Sequence, residues 1–250
     1  MKLTIEKSVC IITPTIGESE LLDVIESVEK QTYRNIKHLI VCDGPDYFQK
    51  ALNNITIGDQ SRIQITTSPE NTGGSGFYGH RIYAAYPHLL NEDYIAFLDA
   101  DNWIEPNHIQ TLVDTLESRN DLSFSYSFRK IFDKEKNFIT DDDCESLGKW
   151  PVWPVLDRPD DPVNYLIDTS SFLFKKDFIQ QTCHLWHSGW GGDRKFLHEV
   201  ITNRNVQYEA SKQHTLCYRL GGNQGSVGKN FFIKGNEATL QYYKGNLPWK

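Results

Sequence analysis

A chain of 250 residues with 39% hydrophobic and 12% aromatic side chains can bury a sizeable core, as one large domain or two small ones. Its net charge of −7 argues against a nucleic-acid binder, and any phosphate ligand would have to be met by local Lys, Arg or a metal ion. The five cysteines (10, 42, 144, 183 and 217) are scattered and form no CxxC, so we expect a reducing compartment without disulfides; MKLTIEKSVC lacks the apolar core of a signal peptide, and no run approaches the roughly 18 apolar residues of a membrane span.

VCIIT (9–13) is a short apolar run rich in β-branched residues and reads as a buried strand. After the loop PTIGES, LLDVIESV places Leu21, Val24, Ile25 and Val28 on one helical face. HLIVCD (38–43) is a second buried strand ending on an acid, which completes a βαβ unit and forces a parallel pair. RIQIT (62–66) is the third strand. HRIYAAYPHLL (80–90) is helical, with Ile82, Tyr86 and Leu89 on one face and Pro87 marking a kink or end. YIAFLDAD (94–101) is the fourth strand, and EPNHIQTLVDTLES puts Ile109, Leu112, Val113 and Leu116 on one helical face, with Pro106 near its start.

The second half changes character. LSFSYSFRKIF (122–132) and NFIT (137–140) alternate apolar and polar residues, as antiparallel strands do. Residues 141–162, rich in acids and prolines, read as a long surface loop. DTSSFLFKKD (168–177) is a strand, and DRKFLHEVITN (193–203) a helix with Phe196, Leu197, Val200 and Ile201 on one side. HTLCYRLGGNQGSVGKNFF is a strand running into a Gly-rich segment. Neither a repeat nor a linker interrupts this pattern, so one domain is expected.

GSGFYG (74–79) spells G-x-G-x-x-G, the dinucleotide fingerprint. That fingerprint belongs directly after a first strand, with an acid about 20 residues on. Here SPENTG intervenes and the strand is not the first, so a Gly-rich loop before a helix is the better reading. FLDADNW (97–103) carries more. Asp99 and Asp101 stand two apart at the carboxyl end of a buried strand, on the same side by strand periodicity, where open α/β sheets bind ligands. Converging carboxylates repel each other without a cation. Hard oxygen donors favour Mg²⁺ or Mn²⁺, which leave coordination positions for substrate phosphates. The alternative is a solvated acidic turn.

Taken in order, IITPT (11–15), the helix ending near Gln31, VCDGPD (41–46), ENTGGSG and HRIYAAY within 70–86, and FLDADNWIEPNHI (97–109) resemble glycosyltransferase family 2, the inverting family with the GT-A fold. The resemblance is close over residues 8–115 and looser beyond. It implies an α/β fold of GT-A type, a Rossmann-like mostly parallel sheet flanked by helices with a mixed, antiparallel acceptor-side half. Residues 1–250 would form one domain, with a nucleotide-sugar half up to residue 105 and an acceptor-binding and catalytic-base half from 106 onward. The implied reaction moves a sugar from a nucleoside-diphosphate sugar, a UDP-sugar in the first instance, to a hydroxyl of a glycan or lipid-linked acceptor, with Mn²⁺ or Mg²⁺. By the resemblance, Thr13, Pro14 and Thr15 line the nucleotide pocket, Asp43 hydrogen-bonds the base, and Arg81 contacts base or phosphate. Asp99 faces the ribose beside Ala100, and Asp101 binds the metal. Taken alone, Asp43 reads as a strand-end turn former and Arg81 as a solvated helix residue.

An inverting transfer needs one general base beside the acceptor hydroxyl and passes through an oxocarbenium-like transition state. The family carries this acid in an acidic pair at a helix start. The matching segment is SGWGGDRKF (188–196), which makes Asp193 the candidate base and puts Gly192 where the first acid would stand. Gly191 and Gly192 allow close backbone approach to an acceptor sugar, Trp190 could stack on it, and Trp186 is a second choice. By itself Asp193 reads equally as a helix cap. The resemblance makes His214 the candidate third metal ligand; alone it reads as structural. His184 and His187 lack a second ligand pair, which argues against zinc. The segment 219–232, with Arg219 and Lys229, is either a flap over the diphosphate or a surface loop. A nucleotidyltransferase would carry a basic Gly-rich loop after the first strand, where TPTIGESE is acidic; a non-catalytic sugar-binding relative would not need Asp99, Asp101 and Asp193 together. The expected setting is the cytoplasm, with peripheral association at the inner face of a bacterial membrane for a lipid-linked acceptor.

Overall fold

The computed structural model describes residues 6–55, 60–153, 155–157, 161–221 and 227–250. The first half runs β1 (Val9–Thr15), α1 (Leu21–Glu29), β2 (Ile36–Cys42), α2 (Phe48–Asn54), β3 (Ile63–Thr67), α3 (His80–Ala85), β4 (Tyr94–Phe97), β5 (Trp103–Ile104) and α4 (His108–Glu117). The second half adds β6 (Phe124–Phe132), β7 (Phe138–Asp141), β8 (Phe172–Lys175), α5 (Lys176–Thr182), α6 (Gly192–Thr202), β9 (Tyr208–Arg219) and α7 (Lys229–Tyr242).

One sheet passes through both halves in the order β3-β2-β1-β4-β8-β6-β9-β5, with β7 on β6. The strands β3, β2, β1 and β4 are parallel; β8 enters antiparallel between β4 and β6. Strand alternation divides the core between two helical layers. Val9 and Ile11 of β1 pack with Leu21 and Val24 of α1 and Ile109 and Leu112 of α4. Cys10 and Ile12 share the opposite cluster with Ile82 of α3 and Phe196 of α6. The chain order reverses at the β1/β4 pair, and the carboxyl ends of those strands open the crevice in which doubly wound sheets hold ligands. All five cysteines are buried and free. Among the described residues no helix is long and apolar enough to cross a membrane.

Several expectations change. The helix from 80 ends at Ala85, and a 3₁₀ turn over Tyr86–Leu89 carries Pro87. Leu89 therefore leaves the expected face and is 72% exposed, while Tyr83 supplies the buried contact. Strand β4 stops at Phe97, so Asp99 and Asp101 converge through a turn and not through strand periodicity. Strand β6 is buried nearly throughout, antiparallel to β7 and β8 but parallel to β9; its polar Ser125 is satisfied by donating to the Leu112 carbonyl at 2.7 Å. The stretch expected as a surface loop from 141 buries Asp142, Cys144, Ser146 and Leu147. The cause is Asp142, whose carboxylate accepts the backbone N–H groups of Cys144, Glu145 and Ser146 and winds the chain around itself.

Candidate functional site

A cavity of about 1130 Å³ opens at the carboxyl ends of β1, β2 and β4. Pro14, Thr15, Asp43, Asp99, Ala100 and Asp101 reach it from the first half. Trp190, Gly191 and Asp193 reach it from the second.

Four sequence-derived residues do not line this cavity. Thr13 lies back from the strand end, fully buried, with its hydroxyl 2.9 Å from His38 Nε2. Arg81 stacks 3.6 Å from the Phe77 ring centroid and donates to the Thr72 carbonyl, so it braces the loop before α3. Gly192 is buried behind the wall. His214 stands on β9 with Nε2 3.3 Å from Asp143 Oδ1 and lines a separate polar pocket with Glu105 and Lys130, away from Asp101. The second aromatic choice, Trp186, is fully buried and stacks on Phe196 at 4.9 Å, whereas Trp190 is 71% exposed at the cavity. Of the segment 219–232, residues 222–226 lie outside the described residues. Arg219 holds the Asp101 turn: Nε donates to the Asp101 carbonyl at 2.9 Å, and its backbone N–H donates to Asn102 Oδ1.

Asp43 organises the Gly-rich loop. Its carboxylate accepts from Thr72 N (2.8 Å), Thr72 Oγ1 (2.7 Å), Gly73 N (2.8 Å) and Asn71 Nδ2 (3.1 Å). Those four bonds use the whole acceptor capacity of a carboxylate, so Asp43 serves here as a clasp. A Cβ at Gly73 would stand 2.5 Å from the Tyr78 carbonyl oxygen, which explains the glycine at the clasp. The GSGFYG run thus forms a wall loop leading into a helix of only six residues, not a dinucleotide cradle.

The carboxylates are electrostatically strained. Burial, with the charges of Asp101 and Asp168, pushes Asp99 up to about 8, even though Tyr83 Oη (2.8 Å) and Ser170 Oγ (3.2 Å) donate to it. Burial first, then Asp168 and Glu18, raises Asp101 to about 6. Burial and Asp168 likewise raise Asp193 to about 6. Asp193 is the second residue of α6, after a left-handed Gly191 cap. Among the described residues its Oδ1 accepts only from the adjoining Arg194 N–H at 2.7 Å, and the helix has no side-chain cap at Gly191, so the capping role is not taken up.

Sequence reasoning missed Asp168 and the residue that holds it. Arg129 on β6 is 3% exposed and ion-pairs with Asp142 (2.7 Å), Glu145 (2.6 Å) and Asp168 (2.8 Å). A cation within the aromatic-rich strand SFSYSFRKIF was the available clue, because an Arg that becomes buried has to be paired. Among the described residues no three His, Cys, Asp or Glu form a ready-made metal cage. The carboxylate-rich cavity does fit a hard divalent ion that takes one or two protein carboxylates and completes its shell with phosphate oxygens and water.

A family model described as glycosyl transferase family 2 matches residues 10–200. The chain belongs to that family. The match reaches well past the region where the motifs are close and includes Asp193. No curated protein matches the chain. Among solved structures, S. aureus TarS 1-349 is similar at 12% identity over 85% of this chain and 60% of that one, with a TM-score of 0.56. TarS 1-349 in complex with UDP gives 12%, 85%, 60% and 0.58; the complex with UDP-GlcNAc gives 11%, 94%, 66% and 0.54. This family 2 chain thus spans about 60% of the TarS 1-349 length, and the likeness establishes an α/β fold of GT-A type.

Proposed function

We propose that this chain is an inverting, metal-dependent glycosyltransferase that uses a UDP-sugar and delivers the sugar to a hydroxyl of a glycan or lipid-linked acceptor, the latter at a membrane face. The observation that carries the reading is the meeting of Asp101 and Asp193, from opposite halves of the chain, at one cavity. TarS, similar in fold, has been solved in complexes with UDP and UDP-GlcNAc.

In this reading the nucleotide lies along Pro14, Thr15 and the loop clasped by Asp43. Asp99, which burial and the Asp101 and Asp168 charges push up to about 8 before donor and cation bind, faces the ribose as a hydrogen-bonding group. Asp193, ionised above about 6, takes the proton of the acceptor hydroxyl as that oxygen attacks the anomeric carbon. The acceptor oxygen enters on the face opposite the diphosphate, and the bond from that carbon to the diphosphate oxygen breaks with its electron pair leaving on the diphosphate, so the configuration inverts. Trp190 offers its exposed face to the acceptor ring. Asp101 would hold Mg²⁺ or Mn²⁺, which supplies positive charge to a departing diphosphate. A nucleotidyltransferase is disfavoured by the loop after β1, which Glu18 closes by accepting from Thr15 Oγ1 and Ile16 N where a triphosphate would need free donors.

The test is a thermal shift with UDP and Mn²⁺. At about 100 times its dissociation constant a ligand adds roughly 2.7 kcal/mol, or several degrees for a chain of this size. We expect the shift with wild type, and its loss on chelation and in Asp101→Asn. A shift with NAD that ignores metal, or none with UDP, contradicts the reading.

A further inference from the structure

His80, the first residue of α3, has no part in the reaction described above, yet it lines the same cavity. Its Nδ1 lies 2.7 Å from the Ser188 carbonyl oxygen. A carbonyl only accepts, so Nδ1 carries the proton and Nε2 carries a lone pair. Burial lowers the imidazole pKa, although the Ser188 and Gly189 carbonyls act the other way, so the ring is held neutral. The hydrogen bond resolved for the ring is the one Nδ1 donates to Ser188, with the Gly189 carbonyl a further acceptor beside it, so in this tautomer Nε2 is the ring atom able to accept.

The ring is also fixed in place. It meets Trp186 edge-on at 5.8 Å and lies near Tyr78 at 6.5 Å. A Cβ at Gly192 would stand 2.6 Å from His80 Nδ1, so the glycine before Asp193 is what lets the imidazole occupy this position. Tyr83, three residues on and next to His80 on the helix surface, holds Asp99 by its hydroxyl. The short helix therefore links the Asp99 carboxylate with the backbone that carries Asp193. In the proposed reaction the transferred sugar has to lie between the diphosphate and Asp193, in the cavity that His80 lines.

We propose that His80 Nε2 accepts a hydrogen bond from a hydroxyl of the transferred sugar and so contributes to donor-sugar selection. This rests on the transferase reading. UDP itself lacks the sugar, so it should not sense His80.

The experiment compares calorimetric affinities for UDP and UDP-GlcNAc, with Mn²⁺, in wild type, His80→Phe and His80→Gln, and adds the 3-, 4- and 6-deoxy forms of UDP-GlcNAc. A single uncharged hydrogen bond corresponds to a loss of up to about tenfold. We expect that loss for UDP-GlcNAc in His80→Phe with UDP unchanged, and recovery in His80→Gln, whose amide oxygen can accept. One deoxy donor should bind wild type and His80→Phe equally, which a merely structural role of the ring would not produce. Equal losses for UDP and UDP-GlcNAc in His80→Phe, or no loss for either, overturn the role of His80 and leave the transferase reading standing. Failure of wild type to bind both ligands overturns the transferase reading and this inference together.

Discussion

Asp193→Asn is expected to lower sugar transfer by about 10²–10⁴-fold, the usual contribution of a positioned general base, while UDP affinity stays at the wild-type value. Asn keeps the shape and loses only the ability to take a proton. The variant should melt no lower than wild type at pH 7. Burial raises the folded-state pKa of Asp193 from 3.8 to about 6, so the folded protein binds more protons than the unfolded chain between those values. Stability linked to this group is therefore present at low pH and lost as pH rises toward 6. Ionised Asp193 is a cost that Asn removes. In wild type, kcat at saturating donor should rise with pH through about 6 and then level off. Asp101 titrates in the same range in the free protein, but saturating donor and cation occupy it, so the kcat limb reports Asp193. A pH–rate profile and a melting curve on both proteins check this; an Asn variant with wild-type turnover removes Asp193 from the mechanism.

Arg129→Met should cost about 3–5 kcal/mol in urea unfolding, the range for breaking a buried ion pair from one side. The guanidinium stands between three carboxylates: Nε and one terminal nitrogen serve Asp142, that same nitrogen also reaches Glu145, and the other terminal nitrogen reaches Asp168. Removal leaves these acids uncompensated next to a cavity already crowded with Asp99, Asp101 and Asp193. Arg129→Lys should recover only part of the loss, because one ammonium cannot reproduce the planar fork. A loss below about 1 kcal/mol, typical of an exposed pair, would show that the network is not holding the 142–168 segment.

The first half was readable because each element announced itself locally. Leu21, Val24, Ile25 and Val28 fall on one helical face, and the strands at 9 and 38 are short apolar runs with β-branched residues. Such runs indicate burial on both sides, and their alternation with helices indicates a parallel sheet. The second half depends on contacts distant in sequence. Nothing local to Asp142 says that it will accept three backbone N–H groups and an Arg from β6, so its acidic, Pro-rich surroundings read as surface. Strand β5 is two residues long and exists because Trp103 and Ile104 pair with Cys217 and Leu216, more than a hundred positions away. At the site, the D-x-D motif pointed to Asp99 and Asp101 and the family resemblance to Asp193, and the fold brings all three to one cavity. His80 was not, because its importance depends on Ser188 and on the absence of a side chain at Gly192. His214 was misplaced for the same reason: its partner, Asp143, belongs to the segment whose burial could not be read locally.

The central claim, transfer with inversion at this cavity, is tested most directly by following UDP-GlcNAc turnover in the presence of Mn²⁺ by proton NMR, with water as the acceptor. The account predicts that the released sugar appears first as the β-anomer, before mutarotation, and that Asp193→Asn releases almost none. First appearance of the α-anomer, or equal release by Asp193→Asn, would contradict it.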